Sequence, residues 1–173
     1  MTEEEQSLIE SFCNDTQGED YEHSTRIIEQ LWYAVPLITL SENQAMSGGK
    51  SYTYLFTVES AYPLMRCGHS VELSTRFNHP EMTDFTGRRF DETFSKTMRR
   101  MWVQFAKTGN PSLTTDISPD GKDHEWPLYD TESKQLMVFE EFNIHPEKES
   151  DRKLVDWDRT YFLSKYYCCI DMK

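Results

Sequence analysis

The chain has 173 residues with 18 basic against 30 acidic side chains, a formal net charge of −12, and that sign opposes binding to the phosphate backbone of nucleic acid or to an anionic membrane surface. Its length suits one domain, and 37% hydrophobic with 13% aromatic residues is enough for a core despite a mean hydropathy of −0.72. No apolar run approaches the roughly 18 residues a membrane helix needs, and Met1-Thr2-Glu3-Glu4-Glu5 is the reverse of a basic export leader, so the expectation is a soluble protein, cytoplasmic unless a signal lies upstream of this stretch.

Residues 1–23 form an acidic N-terminal part, with Leu8, Ile9 and Phe12 at helical spacing and a turn-rich break at Asn14-Asp15-Thr16-Gln17-Gly18. From Ser24 a helical pattern resumes through Ile27, Ile28, Leu31 and Trp32. Pro36 then suits the first turn of another helix covering Leu37, Leu40 and Ala45, which Ser47-Gly48-Gly49 ends. Gly49-Lys50-Ser51 is a poor match to a phosphate loop, because Gln44 stands where the first glycine should be and a strand follows instead of preceding.

That strand is Tyr52 to Glu59, with Tyr52, Tyr54, Phe56 and Val58 on one face and Thr53, Leu55 and Thr57 on the other. Beyond it, Cys67-Gly68-His69-Ser70-Val71-Glu72-Leu73 delivers a histidine on a loop, a recurring placement for a general base. Residues 78–89 are polar and expected to cross the surface as a loop. The clearest helix begins at Asp91, its N-cap, with Phe94, Met98, Met101, Trp102, Phe105 and Ala106 at steps of three and four. Gly109 is its left-handed cap and Pro111 its stop. Residues 113–123 read as a loop and Trp126 to Asp130 as a compact aromatic turn. Gln135 to Glu140 reads as a short apolar strand. A last helix is capped by Ser150, has Leu154, Trp157 and Tyr161 on one face, and runs to about Tyr167. Helix, strand, helix, strand, helix gives part of an α/β layer, with sheet neighbours parallel or mixed.

Cys13, Cys67, Cys168 and Cys169 show no metal-ligand spacing and are too sparse for a disulfide scaffold, so reduced thiols and no metal or cofactor are expected.

Three segments together are more specific than any one of them. They are His69-Ser70-Val71-Glu72-Leu73, the run Trp102-Val103-Gln104-Phe105-Ala106-Lys107-Thr108-Gly109-Asn110-Pro111, and Trp126-Pro127-Leu128-Tyr129-Asp130. In this order, with Tyr52 to Phe56 before them, residues 24–173 resemble the C-terminal segment of a type B carboxylesterase, in the cholinesterase-like branch of the α/β-hydrolase fold. The resemblance implies a partial, mostly parallel sheet with flanking helices. It also implies that His69 is the general base of a serine–acid–histidine triad, that Glu72 shapes the loop around it, and that the complete protein acts on a small-molecule carboxylic ester. Ser70 stands where the family motif has glycine.

No Gly-x-Ser-x-Gly, oxyanion segment or acidic triad motif occurs in the 173 residues. Ser51, Ser60, Ser70 and Ser74 lack the flanking glycines of a nucleophile elbow. His23, His79, His124 and His145 have no comparable context and read as surface groups. The expectation is therefore a base without its nucleophile, a C-terminal fragment whose serine and acid lie elsewhere, inactive alone. Its unpartnered sheet edge and helix faces should favour a homo-oligomer or association with an upstream fragment. The alternative is a non-catalytic cholinesterase-like module used for binding or assembly.

Overall fold

The computed structural model describes residues 2–14, 25–26, 28–77, 80–152, 154–155 and 160. They fall into two compact units. One draws on residues up to Ser51, on Tyr129–Lys134 and on those from Glu149; the other comprises Tyr52–Leu128 and Gln135–Lys148.

In the first unit, α1 (Glu3–Cys13) opens with a reciprocal cap. The Glu5 amide donates to Thr2 Oγ1 at 3.2 Å and the Thr2 amide donates to Glu5 Oε2 at 2.7 Å, satisfying two donors that a helix start otherwise leaves bare. Pro36 stands in the first turn of its helix as expected, but no break separates that helix from the turn before it. A π-helical turn, Gln30–Ala34, runs directly into α2 (Val35–Met46). Pro36 has no N–H to offer the carbonyl one turn back, and a locally widened turn is one way a helix absorbs that loss. The buried side of α2 is Val35, Ile38, Thr39 and Ser41, whereas Leu37 and Leu40 face outward. Val35 and Ile38 pack with Tyr129 and Val155, flanked by Leu8, Ile9, Leu31 and Leu154. The helix expected from a Ser150 cap to about Tyr167 is not continuous: a four-residue helix, Glu149–Arg152, forms here, and Leu154 and Val155 beyond it are not helical. Trp157, Tyr161, Cys168 and Cys169 lie outside the described residues.

In the second unit a mixed three-stranded sheet has the order β1 (Tyr54–Phe56), β2 (Gln135–Glu140), β3 (Asn143–Lys148). β1 is parallel to β2, with Leu55 opposite Val138, and β2 is antiparallel to β3, with Val138 opposite His145. Regular strand is shorter than the expected Tyr52 to Glu59, yet the ladder reaches past both ends of β1. The Met137 amide donates to the Thr53 carbonyl and the Thr57 amide to that of Phe139. Leu136 to Phe139 are completely buried, the continuous apolar character of a strand covered on both faces. β3 has no counterpart in the sequence reading.

Two short helices, α3 (Leu73–Phe77) and α4 (Pro80–Thr86), follow the histidine loop. The second replaces part of the surface loop expected over residues 78–89. Then α5 (Glu92–Thr108) forms as read: the Phe94 amide donates to the Asp91 side chain at 2.8 Å, and Gly109, at φ 75°, donates its N–H to the Phe105 carbonyl. Met98 and Met101 are fully buried beside Phe56, Val58, Val71, Trp126 and Phe139, which confirms core packing for these methionines. Tyr54, Trp102, Trp126 and Phe139 meet edge-to-face or tilted at centroid distances of 5.2 to 6.1 Å, the arrangement favoured by the ring quadrupole. Among the described residues no helix is long and apolar enough to cross a membrane.

Candidate functional site: the His69 turn

Between β1 and α3 the chain folds through successive turns. The Gly68 amide donates to the Met65 carbonyl at 2.8 Å, and the Val71 amide donates to the Gly68 carbonyl at 3.2 Å. The second bond closes a four-residue turn, Gly68 to Val71, with His69 and Ser70 at its centre. Ser70 takes φ 74°, as the third residue of a type II turn must. That conformation favours glycine, the residue the family motif carries there. Gly68 is constrained differently, since a Cβ on it would stand 2.8 Å from the Met65 carbonyl oxygen.

The turn has a firm base. Val71 is completely buried in the main apolar cluster, and the first turn of α3 is pinned by side chains: Ser74 Oγ donates to the Val71 carbonyl at 2.7 Å, Thr75 Oγ1 to that of Glu72 at 2.6 Å, and Arg99 Nη1 to that of Thr75 at 2.6 Å. His69 is exposed at the tip. A rigid stem bearing an accessible imidazole is what a general base requires. Glu72 accepts a hydrogen bond from Arg76 Nη2 at 2.7 Å. Arg76 Nη2 also donates to Tyr54 Oη at 2.7 Å, a tie the sequence reading missed, although Glu72 and Arg76 at i and i+4 were the available signal. Burial pushes the Tyr54 phenol up, against the nearby Arg76 charge, which lowers it.

The other candidates separate cleanly. Ser60 and Ser74 donate their hydroxyls to backbone carbonyls, and Ser51 to Ser41 Oγ at 3.2 Å. Cys67 is exposed. His145 contacts Glu147 at 2.7 Å, and His23 and His79 lie outside the described residues. His124 corrects its reading as a surface group. It is 5% exposed, and its Nε2 lies 2.9 and 3.1 Å from the two carboxylate oxygens of Asp120. Ser118 Oγ donates to Asp120 at 2.6 Å, so serine, acid and imidazole adjoin with the acid in the middle. A triad needs the imidazole between the other two; this arrangement instead clasps residues 113–124, where Leu113 and His124 also exchange backbone bonds. A cleft of about 200 Å³ beside it is lined by Asp91, Lys122, Asp123, Glu141 and Phe142 among others. Among the described residues no three His, Cys, Asp or Glu side chains are grouped to hold a metal ion.

Residues 3–154 match the carboxylesterase family. The chain is 30% identical over 162 residues to bile salt-activated lipase of Homo sapiens, covering 88% of this chain and 21% of that protein. It is 27% identical over 106 residues to acetylcholinesterase of Bungarus fasciatus, covering 59% of this chain and 17% of that one. It therefore spans about a fifth of the length of these relatives. The crystal structure of carboxylesterase EST55 of Geobacillus stearothermophilus superposes with a TM-score of 0.63 at 22% identity, covering 94% of this chain and 31% of that chain. At that identity the likeness speaks for fold, and the fold is that of part of an α/β-hydrolase. The family match extends over most of the sequence, and the chain belongs to the carboxylesterase family.

Proposed function

We propose that this chain is the C-terminal portion of a carboxylic ester hydrolase and supplies the general base, His69, of a triad whose serine and acid stand on sequence outside these 173 residues. The observation that carries this reading is the exposed imidazole at the tip of a turn anchored by buried Val71, at the position of the family's histidine motif. The imidazole takes the proton from the serine hydroxyl as its oxygen forms a bond to the ester carbonyl carbon. It then returns that proton to the departing alkoxide, leaving an acyl-serine; water repeats the cycle with the acid as second product. Glu72 shapes the loop, and the chain associates with itself or with the serine-bearing polypeptide.

By itself the chain should neither turn over a nitrophenyl ester nor be labelled by a serine-directed fluorophosphonate. Joined to, or mixed with, the upstream polypeptide carrying a Gly-x-Ser-x-Gly segment, it should gain turnover that His69→Ala removes by a factor of about 10³ or more. Stoichiometric labelling of the chain alone, or turnover of the combined protein that survives His69→Ala, overturns the proposal.

A further inference from the structure

The turn that carries His69 is tied to the strand before it and to the helix after it through one side chain. Arg76 lies one helical turn beyond Glu72. Its Nη2 is 2.7 Å from Glu72 Oε1 and 2.7 Å from Tyr54 Oη, and its guanidinium carbon is 5.0 Å from the centre of the Trp102 ring and 5.8 Å from that of Tyr54. Tyr54 is in β1 and Trp102 in α5, so a single planar cation joins three elements. The Arg76 and Glu72 side chains are 22% and 18% exposed, and a pair this sheltered is screened far less than a surface pair. Removing the cation leaves a largely buried carboxylate without it, three residues from the imidazole, and leaves a polar phenol among aromatic rings.

Charge alone would not make this tie. A guanidinium can stack its flat face on an indole while its edge donates in the ring plane, whereas an ammonium is a compact point charge. In this chain the guanidinium carbon lies over the Trp102 ring while a single nitrogen, Nη2, donates to both Glu72 and Tyr54.

We propose that Arg76 is a positioning residue for the His69 base: by holding Glu72 against β1 and α5 it fixes the turn on which the imidazole stands. The proposal rests on the assignment of His69 as the base, and its first test is chosen to be independent of turnover. In the chain by itself, the ring ¹H–¹³C cross-peak of His69 is recorded at one fixed pH, with His145 as a reporter on another element of the same unit. Arg76→Gln should displace and broaden the His69 peak and leave that of His145 in place. Glu72→Gln, close in shape and without charge, should do the same, and the double variant should add little to either. Arg76→Lys should fail to restore the original peak, because a compact ammonium cannot sit over the Trp102 ring and also donate to both Glu72 and Tyr54.

In the catalytically complete protein, Arg76→Gln should lower kcat about tenfold or more with KM changed less than twofold, the pattern of a misplaced base with intact substrate binding. An unmoved His69 peak in both single variants, full restoration by lysine, or equal displacement of His69 and His145 overturns the proposal. Absence of turnover in the unsubstituted complete protein refutes the general-base assignment instead, and the spectroscopic result still decides whether Arg76 holds the turn.

Discussion

Ser70 occupies a backbone conformation, φ 74°, that costs a non-glycine residue about 1–2 kcal/mol. Glycine adopts it freely but gives back part of that gain through the greater freedom of its unfolded chain. Ser70→Gly should therefore raise stability by about 0.5–1 kcal/mol, seen as a higher urea midpoint at unchanged slope. A lower midpoint would mean that the serine side chain contributes more than the strain removes. The position was marked in the sequence by departure from a motif; the turn type that explains it was visible only once the Gly68 to Val71 hydrogen bond was seen. His124 was opaque for a related reason. Its burial depends on Asp120, Ser118 and the Leu113 bridge meeting across a loop, and no local pattern encodes that.

Asp120 has a titration consequence. Burial raises it and is the largest single influence, but the hydrogen bonds from Ser118 and His124 and from the Lys122 amide together hold it below the usual carboxylate range. A carboxyl depressed in the fold contributes stability that is present above its unfolded value of about 3.9 and is lost as pH falls through the lower folded value. Stability should decline from about pH 4 downward, and Asp120→Asn should flatten that limb while lowering stability at neutral pH. An acid limb of unchanged slope in the variant would exclude Asp120 as its source.

Among the elements, α5 was read almost to the residue because its signals are local and agree: an N-cap, a 3.6-residue apolar stripe and a left-handed glycine. Asp91→Ala should cost about 1 kcal/mol through loss of the Phe94 cap, whereas Met98→Ala, at a completely buried site, should cost about 2–5 kcal/mol. Equal small effects at both sites, measured by denaturant unfolding, would contradict the packing described. The elements missed were those whose signals are weak or conflict. β3 is Asn-Ile-His-Pro-Glu-Lys, polar, proline-bearing and joined to β2 by Glu141-Phe142 without a turn-forming pair; such a strand is tolerated at a sheet edge and is stabilised by its partner, not by its own composition. For α4 the proline at its first position was the available clue. Pro36 marked the first turn of α2 correctly, but gave no sign of the π-helical turn that runs into it.

For the whole molecule, apolar surface and charge pull in opposite directions. The first unit exposes Trp32 at 71% and Leu40 at 64%, and the second exposes Leu64 at 78% and Phe77 at 71%. Side chains of this size left in water favour association by about 25 cal/mol for each Å² covered. β1 stands at one end of the sheet, and the likeness to EST55 covers 31% of that chain, so the matched fold has much polypeptide beyond what these residues supply. Against this, each copy carries a formal charge of −12, and like charges repel with a range of about 10 Å at 0.1 M salt and about 3 Å at 1 M. Salt should therefore act as a switch on the proposed self-association. Light scattering should show the chain moving from smaller to larger species as sodium chloride rises from about 0.05 to 0.5 M, with binding of an apolar-surface dye falling in step as the exposed faces are covered. Adding the serine-bearing polypeptide should compete with self-association and restore a single species of summed mass. A chain that stays monomeric across the salt range and binds no dye would show that these faces are not adhesive, and the proposal of association with either partner would fall.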